Sequence, residues 1–200
     1  MNYIVTGLGF GDEGKGSFVA NLARRKWSYG HGVTVVRHNG GAQAAHNVIW
    51  SSSDGESVEE HHHTFSQIGS GTPSGAKTHL SRHFIFNPIN YWRELESSPF
   101  AYARTSIDPW AKIVTPYHQA CNAAREDARG QGRHGSCGQG VGELMSDSLD
   151  DDDNLIRAWM LNDKHSDVVR QLLRYWREKK ANTIRELGQP VPDPFSDDRM

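Results

Sequence analysis

The residues best suited to chemistry lie in the stretch GLGFGDEGKGS, residues 7–17. Its glycines would let backbone N–H groups turn toward a phosphate at a helix N-terminus, and Lys15 would add a positive charge. Asp12 and Glu13 lie where the anion would be bound. Asp12 has a role there if a divalent cation separates it from the phosphates, or if it takes a proton from a second substrate. The structural alternative is that both acids only favour a helix N-terminus.

Two well-known phosphate-binding patterns match this stretch only in part. Residues 9–14 fit the dinucleotide pattern G-x-G-x-x-G, but the next strand ends in Arg37 and His38, where an acid should bind a ribose. Lys15 fits a Walker loop, but Gly16 occupies the position of the magnesium-binding Ser or Thr. A dinucleotide-dependent oxidoreductase is therefore the poorest hypothesis, and a phosphate site of another kind is favoured.

The composition limits the classes of partner. The 200 residues are 36% hydrophobic and 23% charged, with a formal net charge of -2. This balance gives no electrostatic reason to expect a nucleic acid polymer or an anionic membrane as a partner, and no apolar run approaches 18 residues. Cys121 and Cys137 lack a metal-ligand spacing, so reduced thiols are expected. Together these features predict a cytoplasmic protein with small-molecule partners.

Strand-like and helix-like segments alternate along the first two thirds of the chain. Residues 3–9 predict a strand, 16–27 a helix, 32–41 a strand that meets a glycine turn, 82–96 a strand, a break and a helix, and 111–130 a strand followed by a helix. Strands that alternate with helices indicate an α/β fold with a mostly parallel sheet and flanking helices.

The character of the chain changes after residue 142. An acidic run precedes residues 155–187, whose spacing and strong helix formers predict a helical C-terminal segment. The proline-rich tail has little to bury and predicts an extended or disordered end. We therefore expect a nucleotide-binding domain over residues 1–147, a helical extension over 148–187 and a tail over 188–200.

Three motifs resemble those of adenylosuccinate synthetases. GFGDEGKGS resembles the first motif of that family, and VVRHNGGAQAAHNV, residues 35–48, resembles the second. PYHQACNAAREDARG, residues 116–130, and GRHGSCGQGVGE, residues 132–143, are similar to the family's helix and glycine-rich nucleotide loop, in the same order. The resemblance covers about residues 3–143 and implies an adenylosuccinate synthetase-like, P-loop NTPase-related fold.

The resemblance implies a GTP-dependent ligase of purine nucleotide biosynthesis. In such enzymes GTP phosphorylates the 6-oxygen of IMP, and L-aspartate then displaces that phosphate, with Mg2+ assisting. IMP or a related purine monophosphate, GTP and L-aspartate are thus the implied partners, and a homodimer is a candidate assembly. The alternative is a truncated, catalytically impaired protein that binds a purine nucleotide.

The same resemblance implies roles for individual residues. Asp12 would take the N1 proton of IMP and ligate Mg2+, and the backbone carbonyl of Ala45 would be a second metal ligand. His46 would act as an acid near the transferred phosphate, while Lys15 and the loop amides would hold phosphates. The implied nucleotide-binding residues are Gly11, Glu13, Gly14, Gly16, Gln43, Ala44, Ser136 and Cys137.

The sequence also departs from the family pattern. Cys137 replaces a threonine and donates a weaker hydrogen bond, Ala45 replaces a glycine, and residues 63–72 differ from a shorter, proline-containing segment. The family's guanine-recognition motif and aspartate-binding loop fall beyond the position that matches residue 200. No arginine lies between Glu143 and Arg157, where the family donates one across a dimer interface. These departures predict a weak or inactive ligase for this chain alone.

Two further groups of residues attract attention. EEHHHT, residues 59–64, suggests metal binding, but adjacent histidines on a strand point to opposite faces, so a pocket-lining role for one of them is favoured. His118 and Asn122 lie one turn apart on a predicted helix, where packing and ligand binding are both open.

Overall fold

A computed structural model describes residues 1–9, 11, 13–28, 32–97 and 99–192. These residues form two compact units that interleave along the chain. The first unit contains residues 1–39, 44–81 and 89–107, and the second contains residues 40–43, 82–88 and the described chain from residue 108 onward. The predicted boundaries at residues 147 and 187 stay a prediction, and residues 193–200 of the predicted tail lie outside the described residues.

Regular elements are numbered here in chain order. The α-helices are α1 (Lys15–Ser28), α2 (Pro88–Ser97), α3 (Pro116–Ala128), α4 (Val141–Asp150) and α5 (Ser166–Glu186). The strands are β1 (Thr34–Arg37), β2 (His46–Ser53), β3 (Val58–Phe65), β4 (Lys77–Leu80), β5 (Ile85–Phe86), β6 (Thr105–Ile107) and β7 (Lys112–Ile113). Short 3-10 helices cover Thr72–Ser74, Pro99–Arg104, Gly130–Gly132, Asp152–Asn154, Ala158–Met160 and Asp163–His165.

The first unit is built on a parallel sheet. Its strand order is β1-β4-β6, with Thr34 opposite Lys77 and Thr78 opposite Thr105. The predicted α/β fold with a parallel sheet and flanking helices is confirmed. The strand predicted over residues 3–9 is wrong, because the described residues of that segment form no ladder. The side chains of Ile4 and Leu8 are 90% and 99% exposed, so burial does not stabilise an extended conformation there.

A long antiparallel hairpin extends from this sheet. Strands β2 and β3 pair from His46 opposite Phe65 to Ser53 opposite Val58. Phe65 at its base is fully buried in the core of the unit, and Trp50 stacks on His61 at a centroid distance of 5.3 Å. Across the described part of the chain, no three His, Cys, Asp or Glu side chains come close enough to hold a metal ion.

The second unit packs three helices against a small parallel sheet. Strands β5 and β7 pair in parallel, and the core side chains come from these strands and from α3, α4 and α5. Trp176 on α5 is fully buried and donates its indole N–H to the carbonyl of Asn154 at 2.8 Å. The described helices include none that is both long and apolar enough to cross a lipid bilayer.

The predicted helix over residues 155–187 begins later than expected. Helix α5 starts at Ser166, and residues 155–165 contain two short 3-10 helices instead. The cause is a competing backbone partner, because the carbonyl of Ile156 accepts from the N–H of Ile113 at 2.9 Å. The N–H of Ala158 likewise donates to the carbonyl of Ala111 at 3.0 Å, so residues 156–158 pair with the strand region and the α-helix begins only after the short 3-10 turns.

Buried charges join the three helices of the second unit. Lys180 on α5 is 3% exposed, and its ammonium group lies 2.8 Å from Oδ1 of Asp147 and 3.4 Å from Oε2 of Glu143 on α4. Nε2 of His118 on α3 lies 3.3 Å from Oδ2 of Asp147, and Nε of Arg125 lies 2.6 Å from Oε1 of Glu143. Burial alone would raise the pKa of Asp147, but His118 and Lys180 outweigh that effect and lower it.

Replacement of Lys180 tests this network. Lys180→Met should lower the free energy of unfolding by about 3–5 kcal/mol, because the buried carboxylate of Asp147 loses its lysine partner while Glu143 keeps Arg125. Lys179→Met is the matched control, since Lys179 pairs with Asp151 at a more exposed position, and it should cost about 1 kcal/mol or less. Urea denaturation followed by circular dichroism measures both. Equal losses would show that burial of the ion pair is not what stabilises the unit.

Candidate functional site

The glycine stretch forms an exposed turn that leads into helix α1. Gly11 and Gly14 have φ angles of +113° and +71°, values that side chains other than glycine rarely adopt. The N–H of Phe18 donates to the carbonyl of Gly14 at 3.0 Å, so the first helical hydrogen bond begins inside the stretch. Asp12, the predicted base and magnesium ligand, lies outside the described residues.

The carboxylate of Glu13 folds back on this turn. It accepts hydrogen bonds from the backbone N–H of Gly9 and from the ammonium group of Lys15. The hydrogen bonds from Lys15 and Gly9 lower the pKa of Glu13. Lys15 is therefore paired with Glu13 in this turn.

His46 lies directly against the start of helix α1. It is the first residue of β2, and a Cβ built on Gly16 would lie 2.5 Å from the Cβ and 2.7 Å from Nδ1 of His46. Any side chain at residue 16 would thus displace the imidazole ring. This contact explains why Gly16 stands where a Walker loop has Ser or Thr.

The protein environment keeps His46 neutral. Burial is the main reason that the pKa of His46 is lowered, and the positive charges of Arg37 and Lys15 lower it further. A lowered pKa means that the imidazole is uncharged near neutral pH in the ligand-free chain. Its N–H can still donate a hydrogen bond to an anion.

The residues just before His46 lie on both sides of the division between units. Ala44 is half-buried and Ala45 is exposed, and both belong to the first unit. Gln43 belongs to the second unit, where its Nε2 would lie 3.0 Å from a Cβ built on Gly40. A Cβ built on Gly41 would lie 3.0 Å from the carbonyl oxygen of Ile85, which leaves little room for a side chain at this position.

Helix α3 holds residues 134–140 of the second unit, the central part of the nucleotide loop predicted over residues 132–143. Oε2 of Glu126 accepts from the backbone N–H groups of residues 134, 135 and 136, at 2.9, 3.1 and 3.4 Å. Oδ1 of Asn122 accepts from the hydroxyl of Ser136 at 3.0 Å and from the N–H of Gly140 at 3.3 Å. Gly140 has a φ of +70°, and a Cβ there would lie 2.8 Å from the backbone nitrogen of Gln119.

The structure thus groups the predicted residues in two sets. Glu13, Lys15, Gly16 and His46 come together in the first unit, whereas Ser136 and Cys137 lie on the 134–140 loop of the second.

The sequence pattern does not predict the roles of Asn122 and Glu126 in holding the 134–140 loop. It places Asn122 one turn from His118 but gives no sign of its contacts with the loop. Glu126 was missed, since no local pattern shows that its carboxylate reaches amides eight to ten residues away. His118 completes the capping box of helix α3, whose N-cap is Thr115, with Nδ1 lying 2.6 Å from the hydroxyl of Thr115.

Comparison with known proteins identifies the family. The adenylosuccinate synthetase family profile matches residues 4–196, nearly the whole chain and more than the motifs cover. The chain belongs to the adenylosuccinate synthetase family. Adenylosuccinate synthetases similar to it include that of Oleidesulfovibrio alaskensis, 30% identical over 155 residues, and that of Herminiimonas arsenicoxydans, 29% identical over 191 residues.

These relatives are considerably longer than the present chain. The two matches cover 74% and 92% of this chain but 33% and 40% of the respective relatives. The structure of fully ligated adenylosuccinate synthetase from Plasmodium falciparum resembles it with a TM-score of 0.65 at 21% identity, over 90% of this chain and 41% of that one. This structural likeness supports the fold, and the chain spans about two fifths or less of the length of these relatives.

A serine at residue 16 tests the contact with His46. Gly16→Ser restores the Walker pattern but should displace the imidazole and destabilise the chain by about 1–3 kcal/mol, because the added atoms overlap the ring. Gly142→Ala is the control, since a Cβ there meets nothing within 4 Å on helix α4, and it should stabilise by about 0.5–1 kcal/mol. Thermal unfolding and the NMR signals of His46 report both effects. An unshifted His46 signal in Gly16→Ser would contradict the contact.

Proposed function

We propose that this chain binds GTP and a 6-oxopurine monophosphate such as IMP, and carries the residues for the phosphoryl-transfer step of a GTP-dependent ligase. The observation that carries the proposal is the packing of His46 on Gly16 beside Lys15, at a glycine turn that opens helix α1. Membership of the adenylosuccinate synthetase family supports it. The joining of L-aspartate in a second step is proposed for the complete family reaction.

Lys15 and the loop amides would hold the transferred phosphate. In the ligand-free chain the Glu13 carboxylate accepts from Lys15 and from the N–H of Gly9, so it occupies donors that a phosphate would use. A phosphate carries more negative charge than a carboxylate and offers more acceptor oxygens. Phosphate binding would therefore release Glu13 toward solvent, while the backbone amides of residues 13, 14 and 16 turn to the ligand.

His46 would respond to the charge of the bound phosphate. A nearby anion favours the protonated imidazole, so the pKa of His46 should rise from its lowered ligand-free value when GTP binds. The protonated ring would then offset the negative charge that builds on the departing GDP. Such acid catalysis typically contributes about 10²–10⁴-fold.

Asp12 would act at the second substrate. It would remove the proton from N1 of the purine, and the electron pair would pass to the 6-oxygen, which attacks the γ-phosphorus as the bond to GDP breaks. Mg2+ would be shared here with substrate phosphates, because such ions are often held by one or two carboxylates and not by a protein cage. Asp12 and the carbonyl of Ala45 would hold it, and it would neutralise phosphate charge.

The second unit would bind the purine monophosphate through its 134–140 loop. The hydroxyl of Ser136 is fixed by Asn122, and Cys137 next to it is exposed. We propose that these two side chains contact the phosphate of IMP and that Gln43 and Ala44 contact the nucleotide. A thiol donates a weaker hydrogen bond than the threonine of the family, so the affinity for the phosphate should be reduced.

The two cysteines allow a direct test of nucleotide binding. Iodoacetamide should label Cys137 and not Cys121, because Cys121 is fully buried and burial raises its pKa to about 12. IMP with Mg2+, at about ten times its Kd, should slow the labelling of Cys137 about tenfold. Mass spectrometry of the labelled peptide measures the rate.

Inosine is the matched control ligand, because it lacks the phosphate that the 134–140 loop would bind. Equal protection by inosine would contradict a phosphate contact. Labelling that IMP, dIMP, GMP and dGMP all leave unchanged would refute the proposed binding site.

Turnover is tested by GDP release from GTP in the presence of IMP. We expect slow release by the 200-residue chain, and Asp12→Asn should abolish it with the fold retained, since an amide cannot accept the N1 proton. Activity within about tenfold of the parent, or ~1.4 kcal/mol in barrier, would remove Asp12 from the base role. Circular dichroism controls for folding.

Aspartate separates the possible outcomes of that assay. Release that occurs without L-aspartate would show that the first step operates alone. Robust release that depends on L-aspartate would overturn the expectation of a weak ligase. Nucleotide binding without any release would favour the alternative of a binding protein.

A further inference from the structure

We propose that Ser70 is a positioning residue that fixes Gly16, and through Gly16 the His46 ring, and that Glu94 holds the loop that carries Ser70. The inference rests on the proposed function, in which His46 acts on the transferred phosphate. The loop concerned comprises residues 66–72 and is called the support loop below. It lies in the segment that differs from the family motif.

Ser70 connects the support loop to the first turn of helix α1. Its hydroxyl donates to the carbonyl of Gly16 at 2.8 Å, across 54 residues of sequence, and the residue is 3% exposed. Gly16 is the residue against which the His46 ring packs. A buried hydrogen bond to this carbonyl therefore restrains the backbone that forms one wall of the His46 position.

Glu94 on helix α2 anchors the other end of the support loop. Its carboxylate accepts from the backbone N–H groups of residues 66, 67 and 68, at 2.8, 2.9 and 3.3 Å, and from the hydroxyl of Ser66 at 3.1 Å. Glu94 is 6% exposed, and Nε2 of His63 lies 3.8 Å from it. Three consecutive amides around one buried carboxylate fix the backbone much as a bound anion would.

Two glycines let the support loop fit closely between helix α1 and the sheet. A Cβ on Gly69 would lie 2.9 Å from Oγ1 of Thr78, and one on Gly71 would lie 2.7 Å from the Cβ of Ala23 on α1. The N–H of Gly69 also donates to Oγ1 of Thr78 at 2.9 Å. The loop is thus fixed on β4 and on α1 at once, so it can transmit a defined position to Ser70.

The consequence for chemistry is a defined distance between His46 and the phosphate loop. Phosphoryl transfer depends mainly on positioning, so a small displacement of an acid from the transferred group has a large effect on rate. Ser70 and Glu94 touch no reacting atom in this arrangement. They act by keeping Gly16, and with it His46, in place.

The test measures the NMR chemical shifts of the His46 imidazole at one fixed pH in the full chain, with the signal assigned by its loss in His46→Gln. Ser70→Ala should shift this signal, because the freed carbonyl of Gly16 no longer fixes the backbone on which the ring packs. Ser66→Ala is the matched control: it removes a hydroxyl from the same loop that bonds Glu94 and not Gly16. It should leave the His46 signal unchanged.

A second arm measures the affinity for Mg·GTP by calorimetry. Ser70→Ala should weaken binding about two- to tenfold, the effect of one buried hydrogen bond, while Ser66→Ala stays within about twofold. If the parent chain binds no GTP, the proposed function fails, but the His46 signal still decides the role of Ser70. A purely structural role would lower the melting temperature in both variants and shift the His46 signal in neither.

The inference is overturned if Ser70→Ala leaves the His46 signal unchanged, or if Ser66→Ala shifts it equally. Glu94→Gln provides an independent check, since an amide cannot accept from all the donors around this carboxylate and should also shift the His46 signal. If Glu94→Gln fails to fold, the comparison of the two serine variants still settles the matter.

Discussion

The contact between the His46 ring and the α-carbon of Gly16 is the constraint on which the first unit depends. It requires glycine at residue 16, so the phosphate loop cannot carry the hydroxyl of a Walker loop. It also requires β2 to begin beside helix α1, and the support loop, residues 66–72, holds the carbonyl of Gly16 through the hydroxyl of Ser70. The hairpin thus supplies His46, and α2 supplies the Glu94 carboxylate that holds the support loop.

Among the described residues, several carboxylates accept hydrogen bonds from loop amides, and three of them concern the predicted site or its support. Glu94 fixes residues 66–68, Glu126 fixes residues 134–136, and Glu13 accepts from Gly9 and Lys15 at the glycine turn. The first two lie on helices and are buried, so they hold their loops in place. Glu13 is more exposed and lies on the turn it binds, so under the proposed function an anion of higher charge would replace it. The same interaction therefore anchors two loops and would be exchanged for a phosphate at the third.

Sequence patterns predicted the parallel sheet and helices because these follow from local periodicity and glycine punctuation. They failed for residues 3–9, where an apolar run finds no strand partner among the described residues, and for residues 155–165, where a distant strand captures the backbone. The family resemblance implies that Lys15 and His46 are both site residues, and the structure places both at the N-terminal end of α1. The support of that end by Ser70 and Glu94 could not be predicted, since both act over 26 to 54 residues of sequence.

Helix α5 has a structural connection to the 134–140 loop although it lies far from it in sequence. Lys180 holds Asp147 and Glu143 on α4, and these carboxylates contact His118 and Arg125 on α3. Helix α3 carries the Asn122 and Glu126 side chains that fix the loop. Because buried charges resist separation, a shift of α5 would move α3 or leave carboxylates unpaired. These contacts cross the predicted boundary after residue 147, and through α3 they connect α5 to the loop that carries Ser136 and Cys137.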